Sequence, residues 1–152
     1  MTSKPNDLAM PFLLMSAFRG LVDAVHADLE HAGFPGVRAT HGFAMQAIGD
    51  GCTSVELGER LGVTKQAAAK TARSLEELDL VRREGVPSDR RARLLVPTDH
   101  GRAMLRLSAK SFARQISRWR AEVGDRNVDA TLRTLSAADP GLRGPTDLSD
   151  WS

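Results

Sequence analysis

Two threonines, Thr53 and Thr64, each stand directly before a helix-forming run, and Gly62 separates the two runs. Thr53-Ser54-Val55-Glu56 has the form of a capping box, in which a Thr hydroxyl and a Glu carboxylate satisfy amides that a helix start leaves unpaired. The spacing therefore predicts one helix from near Ser54 to Gly62. It predicts a second, capped by Thr64, from Lys65 to about Leu78 through an Ala-rich, strongly helix-favouring stretch. Helix, three-residue turn, helix is the result.

The second of these helices divides cleanly into two faces. Ala68, Thr71, Ala72, Leu75 and Leu78 can pack inward on Leu57 and Leu61, while Lys65, Gln66, Ala69, Lys70 and Arg73 share the outer face. A basic, polar, short-side-chained face is what a major groove admits. Gln suits adenine, Lys suits guanine, a small Ala allows close approach to a thymine methyl, and Lys70 and Arg73 suit phosphates or base edges. Cationic helix faces are usually only solvated, so this helix alone is weak support for a nucleic-acid partner.

The segment C-terminal to that helix strengthens the case. Val81 and then Leu94, Leu95 and Val96 are strand formers flanking a polar segment with Gly85, Pro87, Ser88 and Asp89, which predicts a two-stranded hairpin with a long basic tip. Arg90, Arg91 and Arg93 sit at or beside that tip, where a guanidinium can enter a narrow minor groove. The plain alternative is a salt-bridged turn between Asp89 and Arg91; the two are compatible if the pair orients the arginine.

Outside this core the periodicity is helical. Leu14, Phe18, Leu21, Val25 and Leu29 mark a helix from about Met10 to Ala32, ended by Gly33 and Pro35. A shorter helix is expected from an N-cap at Thr40, carrying Phe43, Met45 and Ile48. Thr98 can cap a long helix with a heptad-like stripe of Leu105, Ala109, Phe112, Ile116, Trp119 and Val123, and a last helix is expected over Asn127 to Ala137. The division expected is an N-terminal helical segment (1–36), a helix-turn-helix lobe with its wing (37–98), C-terminal helices (99–138) and a loose tail (139–152). The fold class is mainly α with a small β-hairpin wing.

Composition narrows the partners. The 152 residues are 41% hydrophobic and 26% charged, which suits a folded globular chain. The formal charge is only +2, but between Thr64 and Lys110 eleven basic residues face six acidic ones, so positive charge gathers where the second helix and hairpin lie. The single cysteine, Cys52, permits no intrachain disulfide and no cysteine cluster for zinc. The apolar stretch Pro11 to Met15 is too short to span a bilayer, and no basic leader precedes it, so a cytoplasmic protein without a membrane partner is expected.

Three stretches carry a family resemblance: Leu57-Gly58-Glu59-Arg60-Leu61-Gly62-Val63-Thr64-Lys65-Gln66-Ala67; Leu75-Glu76-Glu77-Leu78-Asp79-Leu80-Val81; and Asp89-Arg90-Arg91-Ala92-Arg93-Leu94-Leu95-Val96-Pro97-Thr98-Asp99-His100-Gly101. The chain resembles the multiple-antibiotic-resistance-regulator (MarR) family of winged helix-turn-helix transcription regulators, in motif from about Thr40 to Leu105. The Asp-Arg-Arg wing followed by a Thr-x-x-Gly helix start is its more specific part. The resemblance implies a homodimer whose first, fifth and sixth helices interlock and carry two lobes onto a near-palindromic operator of double-stranded DNA. It carries DNA contacts over to Thr64, Lys65, Gln66, Ala69, Lys70 and Arg73, with Arg91 first and Arg90 second at the minor groove; a dimer this compact leaves little surface to recruit polymerase, which favours a repressor. The apolar stripes agree, since they exceed what one small lobe can cover.

Members of that family release DNA on binding a phenolic or otherwise amphipathic ligand, on cysteine oxidation, or on binding zinc. Cys52 stands just before the capping box rather than in the first helix, and a merely buried thiol is favoured over a redox sensor. His26, His31, His41 and His100 form no His-x-x-x-His pair, so no metal is expected. Arg38 and His41, with Phe18 and Phe43, are candidates for an organic-anion pocket, against the plainer reading of capping and core packing. No cofactor is implied. Two rival functions remain. A winged-helix interaction module would carry an acidic or apolar recognition face, and an enzyme would need a nucleophile and base, a phosphate loop or paired carboxylates, none of which stands out here.

Overall fold

The computed structural model describes residues 6–138; the tail expected at 139–152 lies outside them. A 3-10 turn at Asp7–Ala9 leads into α1 (Met10–His31), then α2 (Ala39–Ile48), β1 (Cys52–Thr53), α3 (Ser54–Leu61), α4 (Lys65–Glu77), β2 (Val81–Val86), β3 (Asp89–Pro97), α5 (Asp99–Val123) and α6 (Asp125–Ala138). The class is as expected, mainly helical with a small antiparallel sheet.

The helix-turn-helix forms through the caps read from the sequence. Thr53 Oγ1 accepts from Glu56 N at 3.2 Å while Glu56 Oε1 accepts from Thr53 N at 3.2 Å. α3 ends on Gly62 at φ +69°, a left-handed conformation that costs glycine nothing. Thr64 Oγ1 then accepts from Ala67 N at 3.1 Å to start α4. Asp79 leaves α4 at φ +58°, and Leu80 N returns to Leu75 O at 2.9 Å. This Schellman-type exit drives Leu80 into the core, where it is fully buried with Leu57, Leu75, Ala72, Met45, Ile48, Leu95 and Met104.

Several expectations need correction. The helix expected from a Thr40 cap starts at Ala39, with Arg38 as its N-cap: His41 Nδ1 accepts from Arg38 N at 2.9 Å, so a histidine fills the place a glutamate takes in a capping box. The hairpin is also longer and its tip shorter than expected. β2 and β3 pair out to Val86 and Asp89, with an irregularity between Gly85 and Val86, so Arg90, Arg91 and Arg93 stand on strand rather than in an extended loop. The sheet has a third member, with order β1-β3-β2; Cys52 pairs with Leu95 and Thr53 with Leu94. A two-residue strand has too little period to be read from sequence. On α4, Thr71 and Leu78 are half-buried rather than core. The last helix begins at Asp125 instead of Asn127.

Asp7–His31 is long and apolar enough to cross a membrane by length and composition, which the short stretch Pro11 to Met15 does not reveal. In the fold, Val22, Val25 and Leu29 are buried. Asp28 Oδ2 accepts from Ser111 Oγ and, at 2.7 Å, from Arg114 Nη2, tying α1 to α5. The outer side of its first half stays open: Leu8, Met10, Phe12, Leu13 and Leu14 are all exposed.

Candidate nucleic-acid interface

α4 buries Ala68, Ala72 and Leu75 and turns Lys65, Gln66, Lys70 and Arg73 to solvent; Ala69 is half-buried at the edge of that face, and Thr64 is exposed at its start. The close approach of α4 to α3 depends on Gly58, where an added Cβ would meet Ala68 Cβ at 3.3 Å. Small residues on the inner side thus seat the helix deeply and leave the cationic side proud.

The wing is held to this helix by side chains the sequence did not single out. Arg83 on β2 forms an ion pair with Glu76 on α4, and its Nη1 lies 3.4 Å from Ser54 Oγ at the start of α3. The signal was available, since Arg83 and Glu76 lie on opposite sides of a chain reversal at Asp79, but charge alone does not say which carboxylate an arginine meets. At the tip, Asp89 Oδ1 accepts from the backbone N–H of Arg91 at 2.9 Å. Asp89 therefore braces the turn through the main chain, not through the guanidinium, and Arg91 is exposed.

The partition of the arginines decides what this surface can do. Arg82 pairs with Glu84 at 2.6 Å and Arg83 with Glu76. Lys65, Lys70, Arg73, Arg90, Arg91 and Arg93 are exposed and, among the described residues, none of them has an ion-pair partner. Arg93 makes only a long contact from Nη1 to Ala92 O at 3.5 Å. Cations without ion-pair partners on one braced helix and one strand raise the local positive potential, which attracts anions.

The residues expected to line an organic-anion pocket fall on two cavities. Phe18 and Phe43 stack with ring centroids 6.2 Å apart, and both line an apolar groove of about 880 Å³ between α1, α5 and α6. Phe43 also lines a second cavity of about 280 Å³ with Arg38, His26, Gln46, Ser108 and Phe112. His41 lines neither; its Nε2 is 2.8 Å from Ser74 Oγ of α4. His26 and Gln46 are members the sequence reading missed. His26 follows the core position Val25 directly, so its place beside the apolar stripe of α1 was visible, but a cavity there was not.

Cys52 is buried, and burial pushes its thiol above the usual range, which disfavours the reactive thiolate. Among the described residues no group of three or more His, Cys, Asp or Glu could hold a metal ion.

Comparison with known proteins accords with this geometry. A model of the MarR family matches residues 43–92, which hold α3, the turn, α4 and most of the wing. No curated protein matches the sequence. Among solved structures, the fold is similar to FabT of Streptococcus pneumoniae in complex with DNA, at TM-score 0.73 and 17% identity over 88% of this chain and 94% of that one. It is similar to the transcriptional repressor CouR bound to a 23-mer DNA duplex, at TM-score 0.68 and 24% identity over 91% and 99%. It is also similar to CouR from Rhodococcus jostii RHA1 bound to p-coumaroyl-CoA, at TM-score 0.62 and 23% identity over 91% and 97%. Through residues 43–92 this chain is thus similar to the MarR family, and over most of its length it shares the fold of these solved structures.

Proposed function

We propose that the protein is a transcription regulator that binds double-stranded DNA as a homodimer, reading a near-palindromic operator and acting as a ligand-responsive repressor. One observation carries this: among the described residues the cations of α4 and β3 have no carboxylate partner, while the neighbouring Arg82 and Arg83 are neutralised. Gln66 and Lys65 are the base-reading candidates, Lys70 and Arg73 the phosphate contacts, Thr64 and Ala69 the close-approach positions, and Arg91, Arg90 and Arg93 the wing contacts. FabT and CouR, structures of the same fold, have been solved with DNA, which supports the assignment.

A second copy of the chain fits the apolar groove lined by Leu14, Leu21, Ile116, Trp119, Leu132 and Leu135. Two-fold pairing there would remove the exposed apolar residues of α1, α5 and α6 from water and bring two recognition helices to successive major grooves. A dimer of this size leaves little surface for recruiting polymerase, which favours repression.

The effector fits the 280 Å³ cavity. Arg38 supplies charge and Phe43 and Phe112 supply apolar walls, which suits a single-ring organic acid or phenol. CouR has been solved bound to p-coumaroyl-CoA.

Selection of bound duplexes from a random pool, followed by measurement of affinity against salt, tests the assignment. An inverted repeat should emerge, with log affinity falling by about 0.9 per phosphate contact for each unit of log salt. A chain that ignores every duplex at low ionic strength is not such a regulator.

A further inference from the structure

The contact between His41 and Ser74 joins the N-terminal turn of α2 to the recognition helix, and its proton arrangement is fixed by its neighbours. Nδ1 accepts the Arg38 backbone N–H at 2.9 Å, so in the neutral ring the proton sits on Nε2 and is donated to Ser74 Oγ at 2.8 Å. A second proton can go only to Nδ1. There it would point at the Arg38 N–H, donor against donor, and the cap of α2 would be lost. The ring must then turn, and its hold on Ser74 goes with it.

Among the described residues, no acidic group acts on His41 to favour that proton. α1 contributes His26, whose Nε2 is buried without a hydrogen-bond partner, and the turn before α2 contributes the Arg38 guanidinium. α4 contributes the neutral Ser74. The carboxylate of Asp23 on α1 acts on His26 rather than on His41.

We propose that His41 is a positioning residue for the recognition helix, and that its protonation in mildly acid solution breaks the His41–Ser74 tie between α2 and α4 and weakens binding to duplex DNA. The inference rests on the regulator assignment for its effect on DNA, but not for the switch itself. Burial first, then Arg38 and His26, hold the ring below the ordinary histidine value, so it is neutral at pH 7 and takes its proton only as the medium becomes acid. The direction is diagnostic. A histidine that gains charge near DNA ordinarily strengthens attraction to phosphates, whereas here added charge would cost affinity.

The test measures affinity for a selected duplex at constant ionic strength from about pH 7.5 down to about pH 5, reaching below the ordinary histidine window because this ring takes its proton later. Wild type should lose about fivefold to tenfold, the order of one hydrogen bond. His41→Gln keeps a non-titrating acceptor at the cap and should flatten the slope whatever its affinity at neutral pH; Ser74→Ala should flatten it as well. Hydrogen exchange of the α4 amides, corrected for the intrinsic pH dependence, should show protection falling at acid pH in wild type and not in His41→Gln. Affinity that holds or rises toward acid pH, or a slope unchanged in His41→Gln, overturns the proposal, as does a slope abolished by His26→Asn alone. If no duplex binds at any pH the regulator assignment fails, and the exchange data still decide His41: α4 protection that ignores pH sinks the switch.

Discussion

Gly101 lies so close to Leu80 that a methyl group in place of its hydrogen would run into the Leu80 carbonyl oxygen and stand 2.9 Å from Met45 Cε. The same Leu80 oxygen accepts from Thr98 N at 3.0 Å, and Thr98 Oγ1 caps α5 by accepting from Gly101 N at 2.9 Å. The start of α5 is thus clamped onto the chain that leaves α4, and glycine is the residue that permits the approach. Gly101→Ala must push backbone apart. It should destabilise the protein by about 3 kcal/mol, and thermal unfolding should show a midpoint lower by roughly 6 to 12 °C. A midpoint within a degree of wild type would mean that α5 can slide without cost.

The wing and the recognition helix should fail in different ways. Arg91→Ala removes a free guanidinium and leaves the Asp89 bond to the Arg91 backbone intact, so the fold should survive. Binding should weaken, most on duplexes whose minor groove is narrow at the wing, and the salt slope should become shallower. Gln66→Ala should instead relax preference at one base position, by about 1–3 kcal/mol for a bidentate contact. Loss spread evenly over all sequences would show that Gln66 reads no base. Circular dichroism beside each titration separates lost contacts from lost structure.

A charge in the apolar groove tests self-association. Leu14 is 42% exposed in the single chain and lines the groove with Ile116 and Trp119. Leu14→Asp should therefore fold as a monomer yet pair poorly, because a carboxylate buried without a partner costs several kcal/mol. Sedimentation should find monomer where wild type sediments as a dimer. A wild-type chain that is monomeric at high concentration would remove the two-lobe arrangement altogether.

Acid should erode stability through Asp28. Hydrogen bonds from Ser111 and then Arg114 hold its carboxyl below the ordinary value, so at low pH the unfolded chain binds a proton that the folded chain refuses. Its contribution is complete above about pH 4 and drains away as the pH falls through the lower folded value. Asp28→Asn should be less stable at neutral pH, and its unfolding free energy should fall less steeply on the acid side. Parallel curves for the two proteins would show that Asp28 is not what links α1 to α5.

Cys52 should behave as a core residue. Its thiol is buried and pushed upward by desolvation, so a thiol reagent at neutral pH should react only as fast as the protein opens. The rate should rise to that of a free thiol in denaturant. Fast labelling of the native protein would argue for an accessible, activated cysteine.

The local instructions of this chain were written in short range. Thr53 with Glu56, Thr64, Gly62 and Thr98 act within four residues of themselves, by bonding or freeing the backbone, so the helix starts and stops around the recognition helix could be read without a structure. The outward set Lys65, Gln66, Lys70 and Arg73 followed from helical period alone. Tertiary contacts decided the rest. β1 exists because Cys52 and Thr53 meet Leu95 and Leu94 from a distant segment; Arg38 rather than Thr40 caps α2 because His41 turns back to it and forward to Ser74. Arg82 and Arg83 are neutralised while Arg90 and Arg91 are not, a difference set by which carboxylates the folded chain brings near. Sequence specifies periodicity and caps because these depend on neighbours a turn away, whereas pairing of charges and lining of cavities depend on distances that only the packed core fixes.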